Sequence, residues 1–239
     1  MSADGPPGPA FQTAGERFLA TQLDLLAPGS IVVFDLDNTL FDTRPRTLAS
    51  ATDFDALNVS RWFAALELAQ VRHDGRATAR CPELPPPPEP VIASFGAHWD
   101  DYFWRPESLA LDTPIASVVR WARLAREHDL DVRYLTGRVA YLQAASHEAL
   151  RRIGLEPTVG ALVCKPDLSV RTGPWKCDVL AQWKRERERP IGWFMTEGRR
   201  DLACLQATAP EVPGVLLDCS FESLAISLHP DTPTLPRAF

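Results

Sequence analysis

Residues 31–43 read IVVFDLDNTLFDT. Ile31, Val32, Val33 and Phe34 form an unbroken apolar run rich in β-branched residues, the pattern of a strand buried on both faces of a sheet. Two aspartates follow, Asp35 and Asp37, one residue apart. Like charges this close repel, and the end of a buried strand is a costly place to desolvate them.

The alternation of elements continues outward from this strand. A helix is expected over 11–27, FQTAGERFLATQLDLLA, where Phe11, Ala14, Phe18, Gln22 and Leu25 fall near helical spacing and Pro28-Gly29 stops it. Thr113 reads as an N-cap with Pro114 at the first helical position, opening a helix that runs to His128. Then come a strand at 132–136 (VRYLT), a helix (VAYLQAASHEALRRI) closing at Gly154, and a strand at 161–164 (ALVC). A helix over 174–188 carries charges of alternating sign and reads as a solvated face. It is followed by a strand at 191–195 (IGWFM), a short helix (RDLACLQA) and a last strand at 214–218 (GVLLD). The tail HPDTPTLPRAF reads as surface-bound or frayed. Strands alternating with helices predict an α/β fold with a central parallel sheet.

Ligands of such sheets bind at the carboxyl ends of the strands. Those ends offer Asp35 and Asp37, then Thr136, Gly137 and Arg138, then Lys176 at the start of the following helix, and finally Thr196, Glu197 and Asp201. Each has a plain structural use as well. DxD and TGR serve in turns and caps, a lysine serves on a surface, and Asp201 favours the N-terminal end of its helix. Arg138 reads as structural.

Taken in order, the set resembles the haloacid dehalogenase superfamily, specifically its phosphatases. DLDNT at 35–39 matches the DxDx[TV] motif, Thr136 in YLTGR the second, Lys176 in GPWKCDVL the third, and TEGRRD at 196–201 partly the fourth, with Glu197 where aspartate is usual. The resemblance covers roughly 30–43 and 112–218 and implies a Rossmann-like three-layer core. It also implies the chemistry. Asp35 is the nucleophile that forms an aspartyl-phosphate, and Asp37 the general acid and base. Thr136, Gly137 and Lys176 hold the phosphoryl oxygens. Mg²⁺ sits among Asp35, the Asp37 backbone carbonyl, Glu197 and Asp201. Asp37 favours phosphoryl transfer over dehalogenation, because a leaving halide needs no proton donor. The activity so implied is Mg²⁺-dependent hydrolysis of a small phosphomonoester. A phosphomutase of the same fold, or a non-catalytic phosphate-binding scaffold, are the alternatives.

A parallel crossover needs only a dozen or more residues, so the stretch 44–111 is an insertion between core segments 11–43 and 112–239, behind a flexible 1–10 tail. Helical patterns stand at 60–71 (SRWFAALELAQV) and 90–104 (PVIASFGAHWDDYFW). Between them, Pro85 to Pro88 favour an extended polyproline loop. The resemblance implies a small helical cap here, with Arg72, Arg76 and Arg80 as candidate cationic contacts.

Composition narrows the partners. The chain has 239 residues, 45% hydrophobic and 23% charged, with net charge −6. There is no broad basic face, so nucleic acid is not an expected partner, and an anionic substrate needs a local cationic pocket. Cys81, Cys164, Cys177, Cys204 and Cys219 lack CxxC spacing and read as free thiols rather than disulfides or a zinc site. No stretch approaches a membrane span and no signal peptide is visible, so a soluble cytoplasmic protein is expected.

Overall fold

The structure is a computed structural model describing residues 13–187, 189–218 and 226–236. The 1–10 tail, Cys219 and the last three residues lie outside these.

In chain order the elements are α1 (Ala14–Leu25), β1 (Ile31–Phe34), β2 (Phe41–Asp42), α2 (Arg44–Leu57), α3 (Gly75–Ala79), α4 (Glu89–Phe103), β3 (Thr113–Pro114), α5 (Ala116–Glu127), β4 (Asp131–Val139), α6 (Gln143–Arg152), β5 (Leu162–Lys165), α7 (Thr172–Arg187), β6 (Ile191–Thr196), α8 (Arg199–Thr208), β7 (Gly214–Asp218) and β8 (Thr234–Pro236). The main sheet has the order β5-β4-β1-β6-β7-β8, and every neighbouring pair is parallel. Strand β1 lies between β4 and β6, where the order reverses. That switch is where a crevice opens in a parallel sheet.

Period-two alternation sends the β1 side chains to both faces. Val32 and Phe34 join a core with Leu19 and Leu23 of α1, Val118 and Trp121 of α5, and Leu150 of α6. Ile31 and Val33 join Cys177, Leu180 and Trp183 of α7 and Leu202 and Leu205 of α8. Helices on both faces of a central sheet make the Rossmann-like three-layer core. A separate cluster, with Phe54, Phe63, Phe95, Trp99 and Phe103 at its centre, packs α2 and α4 of the inserted segment together.

Four local expectations are corrected. Thr113 and Pro114 cap no helix; they form β3, antiparallel to β2, with Phe41 opposite Pro114 and Asp42 opposite Thr113. The two chain crossings between core and insertion therefore zip into one ribbon, and α5 starts later, with Ile115 as its N-cap. Residues 60–71 form turns and a 3₁₀ segment at Leu68–Gln70 rather than a helix. Asp55 explains this: its carboxylate accepts from the backbone N–H groups of Trp62 and Phe63 at 3.0 and 2.8 Å and from the Ser60 hydroxyl at 2.6 Å, fixing a turn. The helix of this region is α2, which accommodates Pro45 in its first turn, where no N–H is missed. Finally, the tail holds a sixth strand, β8, with Leu235 buried against the first core.

Candidate active site

Asp35 leaves β1 with its backbone N–H still bonded to the Met195 carbonyl of β6 at 2.9 Å. The next turn is tight. Asn38 takes the left-handed conformation at φ 53°, which asparagine tolerates better than most residues. Its side-chain oxygen accepts from the Thr43 hydroxyl at 3.0 Å. The turn holds Asp35 and Asp37 at the mouth of the crevice.

Lys176, near the start of α7, donates to Asp35 Oδ2 and to Asp201 Oδ2, both at 2.6 Å. The ammonium is buried. Burial alone lowers a lysine pKa, but the charges of Asp201 and Asp35 outweigh it and raise it above the ordinary value. Asp35 is pushed up by burial more than Lys176 pulls it down. Its Oδ1 accepts from the Leu36 N–H at 2.7 Å, and Thr196 donates to its Oδ2 at 3.0 Å.

Among the described residues the Glu197 carboxylate meets hydroxyls: Thr39 donates to it at 2.8 Å, and the Thr196 oxygen, whose proton goes to Asp35, lies at 3.4 Å. Burial and the nearby Asp35 charge raise its pKa well above the usual carboxylate range. The Thr39 hydroxyl also accepts from the Glu197 N–H at 3.0 Å, tying the two strand-end turns together.

Asp37 belongs to a second charge cluster. Its Oδ1 accepts from Arg138 Nη2 at 2.6 Å and from Arg46 Nη2 at 3.0 Å. Both arginines also reach Asp112 Oδ2, at 2.7 and 2.6 Å. Burial pushes Asp37 up, but the two guanidiniums outweigh it and hold the carboxyl down at about 2. Arg138 therefore touches the candidate site, contrary to its purely structural reading. A bulge puts it there: Thr136 pairs with Cys164 but Val139 pairs with Lys165, so Gly137 and Arg138 are extra residues in β4. A bulge re-aims the side chain it carries.

The cavity above these groups measures about 740 Å³ and is lined by Asp35, Asp37, Gly137, Lys176, Glu197 and Asp201, with Trp104 from the inserted segment. Gly137 is open to it, with the Thr172 side chain next to where a Cβ would stand, at 3.2 Å. Thr136 is fully buried beneath, its hydroxyl accepting from the Arg138 N–H at 3.2 Å. Arg72, Arg76 and Arg80 pair with Glu83, Asp100 and Glu89 on the surface of the insertion and do not line the cavity. Reasoning from sequence missed Arg46, Asp112, Thr39 and Lys165. The first two sit at the crossings of the insertion, and no local motif marks them. Thr39 stood within DLDNT and was readable as a candidate.

The fold recurs in solved structures. A haloacid dehalogenase-like hydrolase from Streptococcus pneumoniae matches with a TM-score of 0.55 at 12% identity, over 88% of this chain and 94% of that one. This chain has the haloacid dehalogenase-like fold. A subfamily IA hydrolase of that superfamily from Geobacter sulfurreducens matches at 0.52 and 18% identity, over 81% and 90% of the two chains. A predicted phosphatase from Clostridium acetobutylicum matches at 0.53 and 13%, over 84% and 89%. No protein-family model and no curated protein matches the sequence. Among the described residues no helix is long and apolar enough to cross a membrane.

The site's donors suit a hard cation. Asp35 and Glu197 present oxygens, burial raises the pKa of both, and Glu197 faces no cation within ion-pair distance among the described residues. Among the described residues no three acids stand together at ligating distance. Asp201 is bonded to Lys176 instead.

Proposed function

We propose that the chain is a Mg²⁺-dependent phosphatase that hydrolyses small phosphomonoesters by way of a phosphorylated Asp35. One observation carries this reading. Asp35 is a desolvated carboxylate at the floor of a metabolite-sized cavity, held by a buried lysine, with a second carboxylate two residues on. Asp35, Glu197 and the Asp37 carbonyl would hold the Mg²⁺. Bound there, the ion would offset the clustered charge and polarise the phosphoryl oxygens.

The chain's own groups do the rest. An Asp35 oxygen bonds to phosphorus as the bond to the leaving oxygen breaks. Lys176 balances charge on the phosphoryl oxygens, and Gly137 leaves room for them. Water then attacks the phosphorus of the aspartyl-phosphate, Asp37 takes its proton, and orthophosphate leaves with Asp35 restored. The proton taken there is the one Asp37 gives to the leaving oxygen of the next ester. Arg138 and Arg46 favour the ionised form, so the water step is well served and the donating step is the sensitive one. Free thiols at Cys81, Cys164, Cys177 and Cys204 fit the cytoplasm.

Asp35→Asn should abolish turnover of p-nitrophenyl phosphate while the circular dichroism of the fold is kept. Asp37→Asn should cost on the order of 10²–10⁴ in kcat on an alkyl phosphate. On p-nitrophenyl phosphate, whose leaving group needs no proton, the initial burst of p-nitrophenolate should survive while steady-state turnover falls, because the water step still lacks its base. A folded Asp35→Asn protein that turns over either ester at the parent rate would rule the mechanism out.

A further inference from the structure

The cavity holds more positive charge than one phosphoryl group engages. Lys176 is matched by Asp35 and Asp201, and Arg46 and Arg138 by Asp37 and Asp112. Lys176 offsets only one of its two acids, so that pair and Glu197 together leave a surplus of negative charge that a divalent cation would offset. Lys165, Arg171 and Arg200 line the same cavity outside this balance.

Lys165 is the telling one. It ends β5, and its residue is only 7% exposed. An ammonium has three donors, yet the hydrogen bond it makes is to the Thr172 hydroxyl, at a long 3.3 Å. No carboxylate stands within ion-pair distance of it among the described residues. The nearby Asp167 is bonded to the Ser169 N–H and hydroxyl at 2.8 and 2.5 Å. Burial, helped by repulsion from Lys176, outweighs the attraction of Asp167 and holds Lys165 below the ordinary lysine pKa. A buried charge with no carboxylate in contact is costly, and an anion brought into the cavity would lower that cost. Arg171, exposed at the rim beside Thr172, likewise has no acidic partner among the described residues.

Strand β5 stands two places from β1 in the sheet, about 10 Å at the usual strand spacing. From there Lys165 addresses a group a few bonds from the phosphorus being attacked. We propose that the substrate carries a second anionic group, a carboxylate or a second phosphate, which Lys165 and Arg171 receive. This rests on the phosphatase reading above.

The test compares kcat/KM for propyl phosphate, carboxyethyl phosphate and propanediol bisphosphate, with p-nitrophenyl phosphate as a control for the chemistry. At least one doubly anionic ester should exceed propyl phosphate by roughly tenfold or more, mainly through KM, as expected for one charged contact. The arm that gains identifies the anion. Lys165→Met should bring that ratio close to one, and Lys165→Arg should keep most of it. Arg171→Gln, at an exposed position where folding is not at risk, should also lower it. If p-nitrophenyl phosphate is turned over but all three alkyl esters are equal, the second-anion subsite is refuted and the phosphatase reading stands. If Lys165→Met lowers all esters in the same proportion, Lys165 grips the transferred phosphoryl group and the proposal is wrong. If no ester is turned over at all, both readings fall.

Discussion

Arg138 shows what a single residue can hide. In the sequence it follows TG at the end of a strand, where helix entry is the ordinary use. In the structure it is fully buried, bonds Asp37 and Asp112 at 2.6 and 2.7 Å, and lies 5.4 Å from the Phe41 ring centre. Its role follows from a bulge, and a bulge depends on the neighbouring strand's register, which one strand's sequence does not reveal. Asp35, Asp37 and Lys176 were readable because their motifs are local. Removing one member of a buried charge cluster strands the others. Arg138→Met should therefore lower stability by about 3–5 kcal/mol, measured by urea unfolding at pH 7. The pH dependence follows from Asp37. Its pKa is depressed in the folded state, to about 2, so its contribution is complete above the unfolded value near 3.8 and is lost as pH falls through about 2. With Arg138 gone, the variant should show a shallower loss of stability over that acidic window. An unfolding curve identical to the parent's would show that the cluster contributes nothing.

At the scale of elements, the turns after β1 and β6 act as a pair. Thr39 and Glu197 exchange hydrogen bonds at 2.8 and 3.0 Å across them. Glu197 lies in a place that resists its charge, as its raised pKa shows. Glu197→Gln should thus leave the metal-free protein at least as stable as the parent. In the parent, Mg²⁺ at roughly a hundred times its Kd should add about 2.7 kcal/mol. For a chain of this size that is a rise of roughly 5–10 °C in Tm. Scanning calorimetry of both proteins with and without Mg²⁺ checks this, and Glu197→Gln should lose most of the rise. If the rise survives intact, Glu197 is not a ligand. The parallel sheet was legible because its strands are buried apolar runs. The elements misread were those decided by contacts distant in sequence. β3 exists because β2 pairs with it, the 60–71 turn because Asp55 fixes it, and β8 because β7 offers an edge.

The whole molecule sets what reaches Asp35. The chain carries a net charge of −6, so its field repels large polyanions, and attraction is confined to the cavity cations. That cavity, about 740 Å³ with Trp104 of the inserted segment in its wall, falls within the range of small-molecule sites. The insertion is also bonded to the candidate site. Arg46, in the first turn of α2, bonds Asp37, Asp112 and the Phe103 carbonyl and lies 4.0 Å from the Phe103 ring centre. A bulky phosphoprotein would have to displace this wall, and with it a partner of Asp37. We therefore expect good turnover of metabolite-sized phosphomonoesters and little of phosphoproteins. Trp104→Ala should widen the mouth and raise KM for the best small ester, with a smaller effect on kcat, because the side chain lines the cavity without bonding Asp35 or Asp37. Shortening the insertion beyond Arg46 while keeping that arginine should lower kcat/KM for the same ester and retain turnover of p-nitrophenyl phosphate. Assayed side by side, a parent enzyme that prefers intact phosphoproteins to every small ester would mean that the inserted segment receives a protein surface instead of covering a metabolite.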